Sequence, residues 1–549
     1  MTARRLLCLT VLSILTLVVA APAAPAASQK AKADGGLVRV GTTQTFDSIN
    51  PFVAFNALPY IVFTNTYPTL VQYNAKFKFE GDWAKSWTTS KDGLTWTFKV
   101  KPGKWSDGQP LTAADGAWTG NLVLKYAKTS TSTLAAFLSH ATKLTAPDPT
   151  TLVIHYDKAV ANVLPQLQQF FVLPKHIWEP IAGKDGKGLK NYDPAAHLPI
   201  VGGGSFFVTK FDKKGTTILQ KNPGFYGTKP HVDAVGITWF ANADAMLAAL
   251  KGDDIDYTDE VPFTVADQLQ KAGDIQIQTG LGTEVRDFGF NSNPKKKNNR
   301  ELLDPKLRAA LSHAFDRQQI IDVVFRGKAH ARATLLTPIS TPYMNTNLAP
   351  ERFNLALANT MLDKLGYKRG SGGIRQTPGP NSHPMAYNVI TPDSLSGIDR
   401  EFAIVRDSFA KIGVKLTQQS YDSTTAFAEI TKPKNQYLDF DLFMWDWIGY
   451  TDPDFVLSVV GCDQYGGWSD TAYCNKAYDK LYSLQGTTLD PVKRKAIVWK
   501  MQDILYRDKP YIQLVQVDLV FGYRKGWTGI SPNYLHGLSK IPWITLAKS

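Results

Sequence analysis

Cysteine is scarce in this chain, with three residues in 549, and one of them, Cys8, falls in the first apolar stretch. That excludes a disulfide-dense scaffold and leaves too few thiolates for a cysteine-rich zinc site. Beyond residue 27 no apolar run reaches membrane-spanning length. The nine histidines are scattered, without H-E-x-x-H or an i, i+4 pair, the spacing that sets two imidazoles on one metal. A nucleophile elbow is missing, because Phe207 stands where the second glycine around Ser205 is required. Ser408 and Lys411 match S-x-x-K, but no K-T-G partner exists, and neither a phosphate loop nor a complete G-x-G-x-x-G occurs. No cofactor or metal is therefore implied, and the reading is of a protein that is not an enzyme. At 44% hydrophobic and 20% charged, the composition also excludes low-complexity and fibrous chains, and the length calls for about three lobes.

The first 27 residues differ from the rest. Arg4 and Arg5 precede an apolar run from Leu6 to Ala20, and Ala24, Pro25 and Ala26 supply the small residues a signal peptidase reads. The run is about 15 residues, short of the ~20 that a bilayer needs, so residues 1–27 are expected to be a cleaved export signal. Cys8 lies too early to be a lipidated cysteine at the cleavage site, so no lipid anchor is expected. Losing Arg4 and Arg5 lowers the net charge from +13 to +11. The excess is diffuse, and its densest point, Lys295, Lys296, Lys297 and Arg300, reads as a solvated loop, with no nucleic-acid partner implied. Cys462 and Cys474 are then the cysteines of an exported chain, for which a disulfide is the default state.

Strands and helices alternate throughout. Leu94, Trp96, Phe98 and Val100 alternate with polar residues as in a half-buried strand, and Asp107-Gly108 marks a turn. Thr112 and Asp115 resemble a capping box, before Trp118, Leu122 and Tyr126 on one helix face. Asp304-Pro305 opens a helix with Leu307, Ala310, Leu311, Ala314 and Phe315 inward, and Asp316 opens a second one with Ile320, Ile321, Val324 and Phe325. Phe402, Val405, Phe409 and Ile412 form a helix that stops at Gly413 and passes into a strand, half of a βαβ unit. Asp490-Pro491 opens a helix with Ile497, Met501, Ile504 and Leu505 inward, followed by a strand after Pro510. Residues 370–384, rich in glycine and proline, read as an exposed loop.

Aromatic residues concentrate in one irregular segment. Trp445, Asp446, Trp447, Gly449, Tyr450, Asp452 and Asp454 place three large rings and three carboxylates within ten residues. A strand end with core tryptophans and a ligand wall of rings with a carboxylate for an amine both fit this composition.

The order of segments adds a resemblance. Trp83 to Asp115 carries Trp87-x-x-Ser90-x-Asp92-Gly93-x-Thr95-Trp96-Thr97-Phe98 and then Trp105-x-Asp107-Gly108-x-Pro110-Leu111-Thr112-Ala113-x-Asp115. Collinear stretches follow: Gly202 to Ser205, Lys221 to Pro230 (KNPGFYGTKP), Ala249 to Tyr257, Asp304 to Gly327, Leu442 to Phe455 (LFMWDWIGYTDPDF) and Tyr473 to Leu481. Together they resemble the signature segments of the family 5 extracellular solute-binding proteins, the oligopeptide, dipeptide and nickel receptors of ABC importers. The resemblance implies an α/β, bilobed periplasmic-binding-protein type II fold: two mixed lobes, a hinge and an inserted subdomain. Lobe I would comprise 36–65, 201–284 and 519–549, the insertion 66–200, and lobe II 285–518, with hinge crossings near Arg286 and Val517.

It further implies an exported, monomeric receptor that takes a peptide or other small polar ligand and passes it to a membrane permease. A secreted hydrolase on the same scaffold, or a sensor or chaperone-like receptor without transport, are the alternatives. Trp445, Trp447, Gly449, Tyr450, Asp452 and Tyr60 are the implied ligand contacts, and Cys462 and Cys474 resemble a small disulfide loop of dipeptide-binding members. Peptide-binding members place a carboxylate two or three positions past the Trp447-like tryptophan. Here that stretch is Gly449-Tyr450-Thr451, with no acid at the matching place. Asp446 and Asp452 are the acids left. Alternation turns Asp446 away from the face shared by Trp445 and Trp447, which makes Asp452 the better partner for an ammonium group, Gly449 the backbone access and Tyr450 a ring wall.

Overall fold

The computed structural model describes residues 36–548 except 55, 435, 532 and 534–538. The expected export signal, 1–27, lies outside the described residues. Among those described, no helix is long and apolar enough to cross a membrane.

Two large sheets organise the chain. The first has seven strands, in the order Phe206–Lys210, Thr216–Lys221, Ala234–Trp239, Leu37–Thr42, Tyr257–Thr258, Leu519–Arg524 and Ile275–Gly280. The second has six, in the order Ala329–Ala331, Tyr511–Val517, Glu284–Phe290, Leu442–Ile448, Ala386–Pro392 and Lys415–Tyr421. The chain passes from the first to the second between Gly280 and Glu284 and returns between Val517 and Leu519. A smaller four-stranded antiparallel sheet, Ala84–Thr89, Thr95–Val100, Thr151–Tyr156 and Ala141–Asp148, is built wholly from residues between Leu37–Thr42 and Phe206–Lys210 of the seven-stranded sheet.

The second sheet is buried on both faces. Every residue of Tyr511–Val517 is buried, as expected of a central strand with helices on either side. Leu442 and Met444 join one core with Phe288, Phe315, Phe402 and Phe409, while Phe443 joins another with Val456, Tyr478, Val498 and Met501. Local sequence explains the helices that cover it. Asp304 accepts from the Lys306 amide ahead of Pro305–Ser312, and Asp316 from the Gln319 amide ahead of Arg317–Val323. Ile398–Lys411 joins the parallel strands Ala386–Pro392 and Lys415–Tyr421, and Gly413, at φ 81°, makes the reversal between helix and strand. The capping box at Thr112 and Asp115 is present at the start of Ala113–Lys125.

Three expectations change. Lys296 is not solvated: it is 1% exposed and paired with Asp441 at 3.3 Å, whereas its neighbours Lys295, Lys297 and Arg300 do face solvent. The loop 370–384 is anchored from inside by Arg375, 1% exposed, which donates to the Ile412 carbonyl and to Asn359. In the helix Pro491–Asp508 the buried face is Arg494, Val498, Met501, Gln502 and Leu505, and Ile497 and Ile504 are only half-buried. Apolar periodicity misplaces that face because it has no means of counting a buried arginine whose charge is matched elsewhere in the chain.

Candidate functional site

In open α/β sheets the ligand position is the crevice beyond the carboxyl ends of the strands. Leu37–Thr42 runs parallel to Ala234–Trp239 and to Tyr257, and Ala386–Pro392 runs parallel to Lys415–Tyr421 and Leu442–Ile448. Residues 262–264, just past Thr258, and 393 with 395–400, just past Pro392, line a common cavity of about 410 Å³. Strand ends of both sheets therefore open on one groove, of a size that suits a small solute. Its walls mix the Phe263 ring with Asp393, Asp399 and Arg400. Close to it the two sides touch through the rings of Phe263 and Phe325, 5.4 Å apart, and Lys328 with Asp267 at 3.1 Å.

The aromatic segment leaves the second sheet at the same end. Trp445 and Trp447 pack together against the core containing Phe443, so they share a face, and Asp446 turns to the other side. Trp447 meets Phe455 at 6.3 Å, Phe455 meets Tyr450 at 5.4 Å and Trp468 at 5.5 Å. Trp468 is 59% exposed, so this series of rings runs from solvent to the sheet. Tyr450 also packs with Tyr73 and Ile339, and its carbonyl accepts from Ser340 at 2.5 Å.

Tyr60 approaches from the first sheet's side, among Phe63, Phe137 and Phe171. Burial, Asp47 and Tyr450 together push its hydroxyl up to about 12. The Gly449 amide is already engaged, donating to the Thr283 carbonyl at 2.6 Å, and a Cβ at 449 would stand 3.2 Å from that oxygen and 3.3 Å from Thr337. Backbone access at Gly449 is thus limited to its carbonyl.

Two of the three carboxylates of the segment are committed. Asp452, which the spacing makes the better ammonium partner, receives Arg494 on both oxygens, at 2.6 and 2.9 Å, and is itself buried. Asp454 accepts from Gln485 at 2.7 Å and from Asn162 at 2.9 Å. Asp446 lies opposite Arg286 in the ladder, and burial followed by the charge of Glu284 pushes it up to about 7, against the pull of Arg286. Glu401, wholly buried beside the same arginine, is likewise pushed up to about 7 by burial. Two acids that sequence reading passed over lie on the tryptophan face: Asp287, opposite Trp445, and Asp470, which accepts the Tyr511 hydroxyl. A detectable signal existed for the first, since Asp287 interrupts the otherwise apolar face of Val285 and Gly289 in a strand that is buried from Val285 onward.

Cys462 and Cys474 form a disulfide. Asp479 lies within 4.8 Å of these sulfurs, but sulfurs joined to each other carry no thiolate charge for a metal.

With this geometry in hand, the comparisons with known proteins are clear about the class. Residues 78–467 match the family model of the bacterial extracellular solute-binding proteins, family 5, middle segment. The chain belongs to this family. It is 25% identical over 536 residues to a probable ABC transporter-binding protein of Deinococcus radiodurans, covering 89% of this chain and 88% of that one. It is also 25% identical over 516 residues to the glutathione-binding protein GsiB of Escherichia coli O6:K15:H31, covering 92% and 93% respectively. Among solved structures, the oligopeptide-binding protein AppA of Bacillus subtilis, in complex with a nonapeptide, superposes with a TM-score of 0.75 at 22% identity, covering 94% of this chain and 99% of that one. The fold is thus the mixed α/β, type II binding-protein fold.

Proposed function

We propose that this protein is the extracytoplasmic receptor of an ABC importer, capturing a peptide or similar small polar solute between two lobes and delivering it to a membrane permease. Lobe I would consist of 36–65, 201–284 and 519–549 with the insertion 66–200, and lobe II of 285–518. The reading includes export behind a cleaved leader, no lipid anchor, a monomeric state and no catalytic step.

One observation carries it: strand ends of two separate sheets open on one groove of about 410 Å³, while the chain crosses between those sheets twice. Two crossings make a hinge of few residues, and closing it would bury a solute and present a new surface to a permease without chemistry. The aromatic segment does not line that groove, whose Ser396 carbonyl accepts from Arg286 on the face away from Trp445 and Trp447. On this reading Tyr60, Tyr450, Trp445 and Trp447 supply ring contacts and Gly449 its carbonyl at a separate wall, which Asp452 stabilises through Arg494. The glutathione named for GsiB and the nonapeptide bound to AppA support a ligand with peptide bonds.

Mass spectrometry of small molecules that copurify with the exported protein tests the proposal. A bound peptide-like solute that raises the melting temperature on re-addition is the expected result. Turnover of a peptide library by the purified protein would replace the receptor reading with a hydrolase.

A further inference from the structure

Asp287 sits at the centre of the second sheet. In the ladders it lies opposite Trp445 on one side and Gln513 on the other, and Val285 lies opposite Trp447. Directly opposed residues share a face, with Cβ atoms about 4.5–5.5 Å apart. Trp445 and Trp447 are therefore its neighbours on that face. Asp287 is fully buried, and neither of its oxygens has a hydrogen-bond partner. Asp470, 3% exposed, takes the Tyr511 hydroxyl on Oδ1 and leaves Oδ2 unpartnered. The indole N–H of Trp447 and the backbone groups of Asp470 and Thr471 act on the Asp470 carboxyl against its burial, but Oδ2 and the indole N–H close no hydrogen bond.

Among the described residues no cation pairs with Asp287 or Asp470: Arg332, which reaches this face, donates instead to Gln516, opposite Val285. The cation acting on Asp287 is Arg286, but alternation places Arg286 on the opposite face, where it serves Glu284, Glu401 and the Ser396 carbonyl. Burial and mutual repulsion push Asp287 well above the usual carboxylate range, and burial pushes Asp470 up to about 7. Two buried carboxylates with three open oxygens are costly unless a cation or a proton joins them. The other acids of the neighbourhood cannot serve here, since Asp452 is held by Arg494 and Asp446 lies on the far face.

The geometry points to a cation subsite: Asp287 and Asp470, flanked by Trp445 and Trp447, receive an ammonium or guanidinium group of the transported solute. Such a group brings several N–H donors to the open oxygens, and indole faces attract it. The inference rests on the receptor reading and narrows it to solutes that carry positive charge.

Calorimetry with two matched pairs tests it: L-arginine against L-citrulline, and Arg-Ala-Ala against the same peptide with citrulline. Citrulline keeps the shape of arginine and lacks its charge. The wild-type protein should prefer the arginine member of at least one pair by about tenfold or more. Asp287→Asn and Asp470→Asn should each abolish that preference, with circular dichroism unchanged. Equal affinity for the two members of each pair, no binding of either arginine probe, or a preference that survives both substitutions would overturn the subsite. A pair of acids that merely shares a proton gives the first of these results. The wild-type comparison stands even if a variant fails to fold, and a neutral solute found by mass spectrometry with the purified protein would leave the receptor reading intact.

Discussion

Arg494 holds Asp452 with both ends of its guanidinium, Nη1 to Oδ2 at 2.6 Å and Nη2 to Oδ1 at 2.9 Å, with the two side chains 3% and 10% exposed. It links the helix Pro491–Asp508 to the loop that follows the Leu442–Ile448 strand, and Gln485 accepts its remaining Nε donor at 3.0 Å. The consequence is that the aromatic wall is fixed by a buried ion pair.

Breaking one partner of such a pair leaves a buried charge uncompensated. Arg494→Ala is expected to cost about 3–5 kcal/mol of stability, read by urea denaturation. A loss under about 1 kcal/mol would show that the pair is solvated and the wall held by packing.

Glu401 and Asp446 both stand at about 7 in the fold, above the 4.5 and 3.8 usual for their side chains. Between those limits the folded protein keeps protons that the unfolded chain has released, so stability falls as pH rises. The denaturation midpoint should therefore drop from pH 5 to about pH 7. Glu401→Gln should flatten the slope by about one proton's worth. A midpoint that climbs over this range would contradict the assignment.

Gly282 lies at one crossing between the sheets, and a Cβ there would stand 1.6 Å from the Val517 carbonyl oxygen at the other. Backbone cannot yield as a side-chain tip does, so Gly282→Ala should destabilise by about 1–3 kcal/mol. Gly486, inside the helix Lys476–Thr487, has nothing within 4 Å of such a Cβ, and Gly486→Ala should instead stabilise by up to about 1 kcal/mol. Thermal melts of the two variants should move in opposite directions.

Trp447 is half-buried between Phe455 and the sheet. Truncating an anchoring aromatic commonly costs ~2 kcal/mol of binding, roughly thirtyfold. Trp447→Ala should weaken the copurified solute by that much while far-ultraviolet circular dichroism is retained. Unchanged affinity would assign the ring to the core alone.

The disulfide Cys462–Cys474 spans a sequence separation of 12, which in the chain-entropy model is worth about 3 kcal/mol. Reduction should lower the denaturation free energy by about that amount. An unchanged value would show that the reduced chain keeps the loop ordered by its contacts.

Local chemistry was legible in the sequence wherever neighbours along the chain decide it. The caps at Thr112, Asp304 and Asp316 and the face shared by Trp445 and Trp447 follow from spacings of two to four residues. The collinear motifs likewise carried the family. Charge pairing was not legible, because its partners are far apart in the chain. Lys296 finds Asp441, and Asp452 finds Arg494, only after the second sheet and its helices have assembled. A carboxylate near tryptophans therefore reads the same in sequence whether it awaits a ligand or already has an arginine. Pairing, register and burial make that difference: Arg494 occupies Asp452, the ladder turns Asp446 to the other face, and Asp287 and Asp470 are left on the tryptophan face, where leaving water makes an unmatched charge expensive.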